Sequence, residues 1–240
     1  MNALNTTLDE SKKKTPCVKC RVRAFNFCGA LKLGRAPLKQ IHVSSRARQA
    51  IYRANEPSDD VHVICEGWAA CSVHLGEGRR QILSFLLPGD LLSATDLFRE
   101  RQDFSVQCLT DVRYCKFSRG ELRKMLMTEP QVFEELTRLC IAEKDQSDRT
   151  IVSLGQRGAA ARIARLIVSL MERLSARGLM RGQIFDFPLR QQHIADAVGL
   201  TTVHVSRVIN TFREARLIET AQRQIRIISL QELQHVADAR

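Results

Sequence analysis

Three cysteines stand close together near the start of the chain, Cys17, Cys20 and Cys28, in a C-x2-C-x7-C arrangement. In a reducing compartment, thiols at such spacing point to metal binding, thiol catalysis or oxidant sensing, because structural disulfides do not persist there. The stretch VKCRVRAFNFC that follows Cys17 carries Lys19, Arg21 and Arg23 and no acid. Positive charge beside thiols lowers their pKa and favours the thiolate that binds metal. Five further cysteines, Cys65, Cys71, Cys108, Cys115 and Cys140, are dispersed. The residue types alone suit an iron-sulfur cluster, a structural zinc ion or a cation-flanked disulfide switch. No Ser-His-Asp pattern, glycine-rich phosphate loop or HExxH motif accompanies them, and the histidines are isolated, so an enzyme is not expected.

A second constellation lies far downstream, in LRQQHIADAVGLTTVHVSRVINTFREARLI from Leu189 to Ile218. A first helix carries Ile194, Ala195 and Val198 on one side, and Gly199 supplies a turn tolerant of positive φ. Thr201 or Thr202 caps a second helix, whose Val205, Val208, Ile209 and Phe212 fall at i, i+3, i+4 and i+7 and so share a buried face. The outward set, Thr202, Val203, His204, Ser206, Arg207 and Asn210, mixes a cation with hydrogen-bonding and methyl-bearing groups. Those are the groups that read base edges and phosphates in a DNA major groove. A formal net charge of +11 favours a polyanionic partner, with double-stranded DNA the leading candidate.

The elements that must position these residues follow in order. Residues 1–16 are polar, with a Lys12-Lys13-Lys14 run that reads as a solvated tail. From Leu38 to Phe117 short alternating runs (QIHVSS, QAIYRA, DVHVICEG, WAACSVHL, QILSFLL, FSVQCLT, VRYCKFS) are separated by turn formers such as Glu66-Gly67 and Pro88-Gly89-Asp90. They predict an antiparallel roll, with Trp68 as packing; Cys65, Cys71 and, further along, Cys140 read as buried small hydrophobes. After Ser118 the period becomes helical. A short helix spans 119–127 and a long one runs from Pro130 to Leu154, where Phe133, Leu136, Cys140, Glu143, Ser147, Thr150 and Leu154 trace a heptad seam for a homodimer, polar in its middle. A third helix covers 159–176. A strand at 184–188 leads into the helix pair, and the alternation after Gln222 reads as a wing.

The chain is thereby identified as a member of the superfamily of the cyclic-AMP receptor protein and the fumarate-nitrate-reductase regulator (Crp/Fnr). The residues carrying the resemblance are EGW with GEGRRQILSFLLPGDLL (76–92), IADAVGLTTVHVSRVI (194–209), and their order around a long central helix. The resemblance implies an α+β fold: an N-terminal antiparallel β-roll of the cupin-like jelly-roll kind, a long dimerisation helix and a C-terminal winged helix-turn-helix. It implies a division into a tail with the cysteine segment (1–28), a roll sensor domain (29–118), connecting and dimerisation helices (119–156) and a DNA-binding domain (157–240). It also implies a cytoplasmic homodimer that works with RNA polymerase, apart from any membrane.

Two comparisons within the superfamily select a branch. Members that bind cyclic nucleotides follow PGD with Gly-Glu and Arg-Ser pairs that hold the ribose and phosphate, whereas here Ser93-Ala94 and Phe104-Ser105 stand in that region. Without the guanidinium fork an anion binds poorly, so no cyclic nucleotide is expected. The oxygen-sensing branch places three cysteines ahead of the roll and a fourth at its end, around an oxygen-labile [4Fe-4S] cluster. The resemblance maps these ligands onto Cys17, Cys20, Cys28 and Cys115, with Cys108 the alternative fourth. Phe27 either shields the cluster or simply packs. A regulator of the same fold holding zinc, a disulfide switch or no effector is the competing expectation. In the better-known branches a glutamate stands at the position of Val203 and a threonine at that of His204, so the resemblance implies a DNA site altered at the base pair Val203 faces.

Overall fold

The computed structural model describes residues 20, 22, 26–33 and 38–239. Cys17 and the Lys12–Lys14 run lie outside them.

Seven strands build the roll: β1 (Gln40–Ser45), β2 (Ala50–Tyr52), β3 (Asp60–Glu66), β4 (Ala69–His74), β5 (Arg80–Leu86), β6 (Ser105–Cys108) and β7 (Val112–Ser118). They form two antiparallel sheets, one in the order β1-β7-β3 and one in the order β2-β6-β4-β5. Each expected alternating run became a strand, because period-2 apolar residues bury one face of a sheet apiece. The turn Glu66-Gly67-Trp68 between β3 and β4 requires glycine: Gly67 has φ +82°, and a Cβ there would meet the Asp111 carbonyl oxygen at 2.1 Å.

The two sheets enclose an inner core of Ile64, Ala69, Cys71, Leu86, Leu92, Val106, Cys108, Val112 and Tyr114. The outer face of the three-stranded sheet, with Val61, Val63, Cys115 and Phe117, is covered by helices: α1 (Asn26–Leu33), α2 (Arg119–Thr128) and the start of α3 (Pro130–Gln156). Ser118 caps α2, its hydroxyl accepting from the Glu121 N–H. Pro130 opens α3 at its first turn, where the missing N–H costs nothing.

The expected dimer seam is split by this packing. Val132 and Leu136 are buried in the roll's own core, and the Glu143 carboxylate accepts from the Ala94 N–H at 3.3 Å. The apolar side chains that α3 leaves exposed are Phe133, Ile141, Ile151 and Val152. Contact with the protomer's own roll therefore captures two of the seven heptad positions, Leu136 and Glu143.

The outer face of the four-stranded sheet meets the C-terminal part. There α4 (Ala159–Ser175) buries Ile163, Ile167, Leu170 and Leu174 in one core with Trp68, Ala70, Ile82 and Phe85 of the roll. Then come β8 (Ile184–Asp186), α5 (Gln191–Val198), α6 (Thr202–Glu214), a hairpin of β9 (Ile218–Ala221) and β10 (Gln224–Ile227), and α7 (Leu230–Asp238). Strands β8, β10 and β9 form a small sheet behind the helix pair. This is the α+β architecture of roll, long helix and winged helix-turn-helix. Among the described residues, no helix is long and apolar enough to cross a membrane.

Candidate functional site

The central strand of the three-stranded sheet carries Cys115, 2% exposed. On one side β1 pairs His42 directly with Cys115, and on the other β3 pairs Val63 with it. Paired residues share a face, and Cys65, two positions beyond Val63, shares it too. The β3–β7 ladder shifts register between Ile64 and Glu66, at Cys65. The result is a Cys65 Sγ to Cys115 Sγ separation of 3.1 Å and a Cys115 Sγ to His42 Nδ1 separation of 3.4 Å. The donor atoms of His42, Cys65 and Cys115 all lie within 4.8 Å of one another.

The segment ahead of the roll folds onto this face. Cys20 hydrogen-bonds with Cys65, and Cys28, on α1, lies close enough for its charge to act on Cys65. Cys20 and Cys28 thus lie on the side of the roll that carries Cys115, Cys28 packing on the same core, but among the described residues the donors within 4.8 Å of one another are those of His42, Cys65 and Cys115. Phe27 is fully buried in the adjoining core, which is packing. Cys108 lies in the core between the sheets, away from the group, because bends at Leu109 and Thr110 separate its strand from β7 and place it on the other sheet.

The expected lowering of thiol pKa is not what the geometry produces. The Cys20 thiol is pushed up by its hydrogen bond with Cys65 and by burial. The Cys65 thiol is pushed up by its hydrogen bond with Cys115 and by burial, with the Cys20 bond opposing. Crowded, half-buried sulfurs disfavour one another's charge, and the cations expected to counter this at residues 19, 21 and 23 lie outside the described residues. Arg113 is the cation nearby, and its guanidinium is ion-paired with Glu66. The His42 imidazole is held below its ordinary pKa by loss of water and by Arg113, so it is a neutral donor near pH 7. A crowded group of soft sulfur donors and one imidazole, costly to ionise by itself, is chemically matched to a metal centre that supplies the missing positive charge.

The region where relatives hold a cyclic nucleotide is differently built. Ser93 caps a short 3-10 turn, its hydroxyl accepting from the Thr95 N–H at 3.1 Å, and Phe104 packs its ring on Tyr52. The cleft beside it, about 10 Å³, holds no more than a water molecule. It is lined by Tyr52, Asp96, Gln102 and Arg119, each of which presents a buried polar atom without a partner. Burial pushes the Asp96 carboxyl up to about 7, against the pull of Arg119.

At the other end, Gly199 closes α5 in the left-handed region at φ 65°, and the Thr201 hydroxyl accepts from the His204 N–H to start α6. Val205 and Phe212 are buried beneath. Val203 (65% exposed), His204, Arg207 and Asn210 face solvent, while Thr202 and Ser206 are half-buried at the same surface. His204 is tied back by a 2.9 Å hydrogen bond between its Nδ1 and Thr201 Oγ1. The wing turns at Gln222 and Arg223, both with positive φ.

Two sets of ion pairs join this part to the roll. Asp90, of the Leu-Pro-Gly-Asp turn after β5, receives Arg173 and Arg177 of α4 and its C-terminal end, each at 2.5 Å. Burial raises the Asp90 carboxyl, but the two guanidinium groups outweigh it and hold it below the usual carboxylate range. Arg80 of β5 reaches Asp196 of α5 at 2.6 Å. Neither pairing follows from spacing along the chain.

A roll, a long helix and a winged helix-turn-helix with an exposed second helix define a class: a DNA-binding transcription regulator. A sequence profile of the cyclic nucleotide-binding domain matches residues 42–129, and one of the Crp-like helix-turn-helix domain matches residues 161–236. The chain belongs to the Crp/Fnr family of transcription regulators. It is 29% identical over 226 residues to the transcriptional activatory protein AadR of Rhodopseudomonas palustris, covering 92% of each chain. It is 28% identical over 208 residues to the transcriptional activator protein FnrL of Cereibacter sphaeroides, covering 84% of this chain and 83% of that one. The solved structure of FixK2 from Bradyrhizobium japonicum superposes with a TM-score of 0.76 at 25% identity, covering 85% of this chain and all of that one. These relatives are transcription regulators, as the expectation of a non-enzyme requires.

Proposed function

We propose that this regulator responds to oxygen or redox state through a [4Fe-4S] cluster held by Cys20, Cys28 and Cys115, with Cys17 as the fourth ligand. The observation carrying the reading is the gathering of Cys20 and Cys28, from the segment ahead of the roll, around the face where Cys115 is buried. The group supplies, when bound, an oxygen-labile charge that ties the N-terminal segment to the roll. The protein's own contribution is to hold Cys28 on α1 over the face that buries Cys115, and to offer at Cys20 a thiol that Cys65 and burial keep protonated until a metal compensates its charge. The similarity to a protein named FnrL is compatible with this sensing.

The DNA is read by α6 as part of a homodimer. Arg207 and Asn210 supply hydrogen bonds to base edges or phosphates, with Thr202, His204 and Ser206 beside them, and Val203 packs on a thymine methyl. The exposed Phe133, Ile141, Ile151 and Val152 of α3 supply the apolar dimer contact. The work is done in the cytoplasm alongside RNA polymerase. The roll takes no cyclic nucleotide, a reading supported by the one-water cleft and by Ser93-Ala94 and Phe104-Ser105 standing in that region.

Anaerobic purification tests the cluster. The expected result is a brown protein with about four iron and four sulfide per chain, lost on Cys115→Ala. Colourless protein under the same conditions refutes it.

A further inference from the structure

The thiol group contains more donors than a cluster needs, and two of them, Cys65 and His42, belong to no cluster set. Their placement is specific. His42 on β1, Cys115 on β7 and Cys65 on β3 project from three adjacent strands to one point, their donor atoms within 4.8 Å of one another, while Cys20 stands beside Cys65, outside that group, as the donor that must swing in to complete the set. Donors around a single tetrahedral ion, with sulfur at about 2.3 Å and nitrogen at about 2.0 Å, lie roughly 3.5–4 Å from one another. The separations found, 3.1 Å between Cys65 and Cys115 and 3.4 Å between Cys115 and His42, are slightly shorter than that, so an ion entering the group spreads the donors by a few tenths of an ångström. A cubane holds its thiolates on the outside of four irons, further apart than one shared ion does.

We propose that Cys20, Cys65, Cys115 and His42 form a second, mononuclear site for a divalent ion of the zinc class, an alternative to the cluster at the same face. Three thiols and a neutral imidazole are a tetrahedral set that Zn2+ favours, and binding releases the three thiol protons to solvent. The net negative charge left on the set faces Arg113. Because Cys20 and Cys115 are shared, the two occupants exclude each other, a clause that rests on the cluster reading. The ion itself does not rest on it. Occupation by zinc fastens the N-terminal segment to the roll through Cys20 while blocking cluster assembly, so zinc is an antagonist of the iron-loaded state.

The test uses the full chain, reduced and metal-free, titrated with Co2+ and competed with Zn2+ without oxygen. The wild type is expected to take one Co2+ per chain with the visible ligand-field bands of a tetrahedral ion and thiolate charge-transfer absorption. Cys65→Ser, and His42→Ala on the exposed β1, are expected to weaken it by at least about tenfold, since losing a ligand costs no less than losing its outer partner. Exposed Cys140→Ser is expected to leave it unchanged. No tetrahedral Co2+ spectrum in the wild type, or an affinity unaltered in both Cys65→Ser and His42→Ala, overturns the proposal. Iron reconstitution separates the two readings. Cys28→Ser loses the cluster spectrum and keeps the Co2+ site, and Cys65→Ser keeps the cluster and is no longer inhibited by zinc. A wild type that binds Co2+ as described but never assembles a cluster refutes only the cluster.

Discussion

The two outer faces of the roll are put to opposite uses. On the three-stranded sheet, the face carries Cys115, Cys65 and His42 and is roofed by α1 and the start of α3. On the four-stranded sheet, the face carries Trp68, Ala70, Ile82 and Phe85 and is roofed by α4 and the helix-turn-helix. The first gathers soft donors within 4.8 Å of one another, and the second is sealed by apolar contact and by ion pairs at its rim. Chemistry at one face must therefore cross the roll to reach the other. The strand that bears Cys65 is joined directly to the Leu-Pro-Gly-Asp turn: Ile64 donates to the Asp90 carbonyl at 2.9 Å, and Gly89 donates to the Ile64 carbonyl at 2.8 Å. Asp90 in turn holds Arg173 and Arg177. One short segment thus touches the thiol strand through its backbone and the DNA-binding part through its side chain.

Breaking that segment has the largest expected effect. Asp90→Ala leaves two guanidinium groups without their buried carboxylate and is expected to cost about 3–5 kcal/mol in urea unfolding. Because the Asp90 pKa is lowered in the fold, its contribution is present above the ordinary carboxylate pKa. It is lost as pH falls through the folded value, so wild type and variant converge in acid.

Asp96 has the opposite sign. With its pKa raised to about 7, the stability it lends is full below the ordinary carboxylate pKa and is lost as pH rises through about 7. The wild type is expected to lose on the order of 2 kcal/mol between about pH 5 and about pH 8 through this group, and Asp96→Asn to remove most of that dependence in thermal unfolding.

On the DNA-reading side, Arg207→Ala is expected to weaken operator binding by about 1–3 kcal/mol while leaving metal content unchanged. Val203→Glu is expected to shift the preferred base pair toward one offering a cytosine amine, read by binding-site selection. The smallest effect belongs to the wing. Replacing Gln222-Arg223 by Asn-Gly relieves two positive-φ residues and is expected to raise stability by about 1 kcal/mol, with the thiol face unaffected.

The helical and strand periods carried most of the fold. The long helix expected over Pro130–Leu154 is found at Pro130–Gln156, and Gly199 and Thr201 terminate and cap the helix pair as their chemistry dictates. Spacing along the heptad seam does not reveal that Leu136 and Glu143 also contact the protomer's own roll. Cys65 read as an ordinary small hydrophobe for a related reason. The alternation Val61, Val63, Cys65 puts it on one face of β3, but only the pairing of Val63 with Cys115 shows that the face is the thiol face. His42 needed the register of β1 as well, which no local signal supplies. The clamp on Asp90 joins segments distant in sequence, and charge pattern alone does not choose its partners.

The central claim is that the sulfur-rich face governs the DNA-reading face. Operator affinity of the iron-reconstituted wild type, measured without oxygen and again after exposure to air, tests it most directly, with Cys115→Ala beside it. The account predicts tight binding only for the wild type kept from air, with the air-exposed protein and the variant alike weaker by at least about tenfold, an effect of ordinary allosteric size. Equal affinity in all three samples contradicts it.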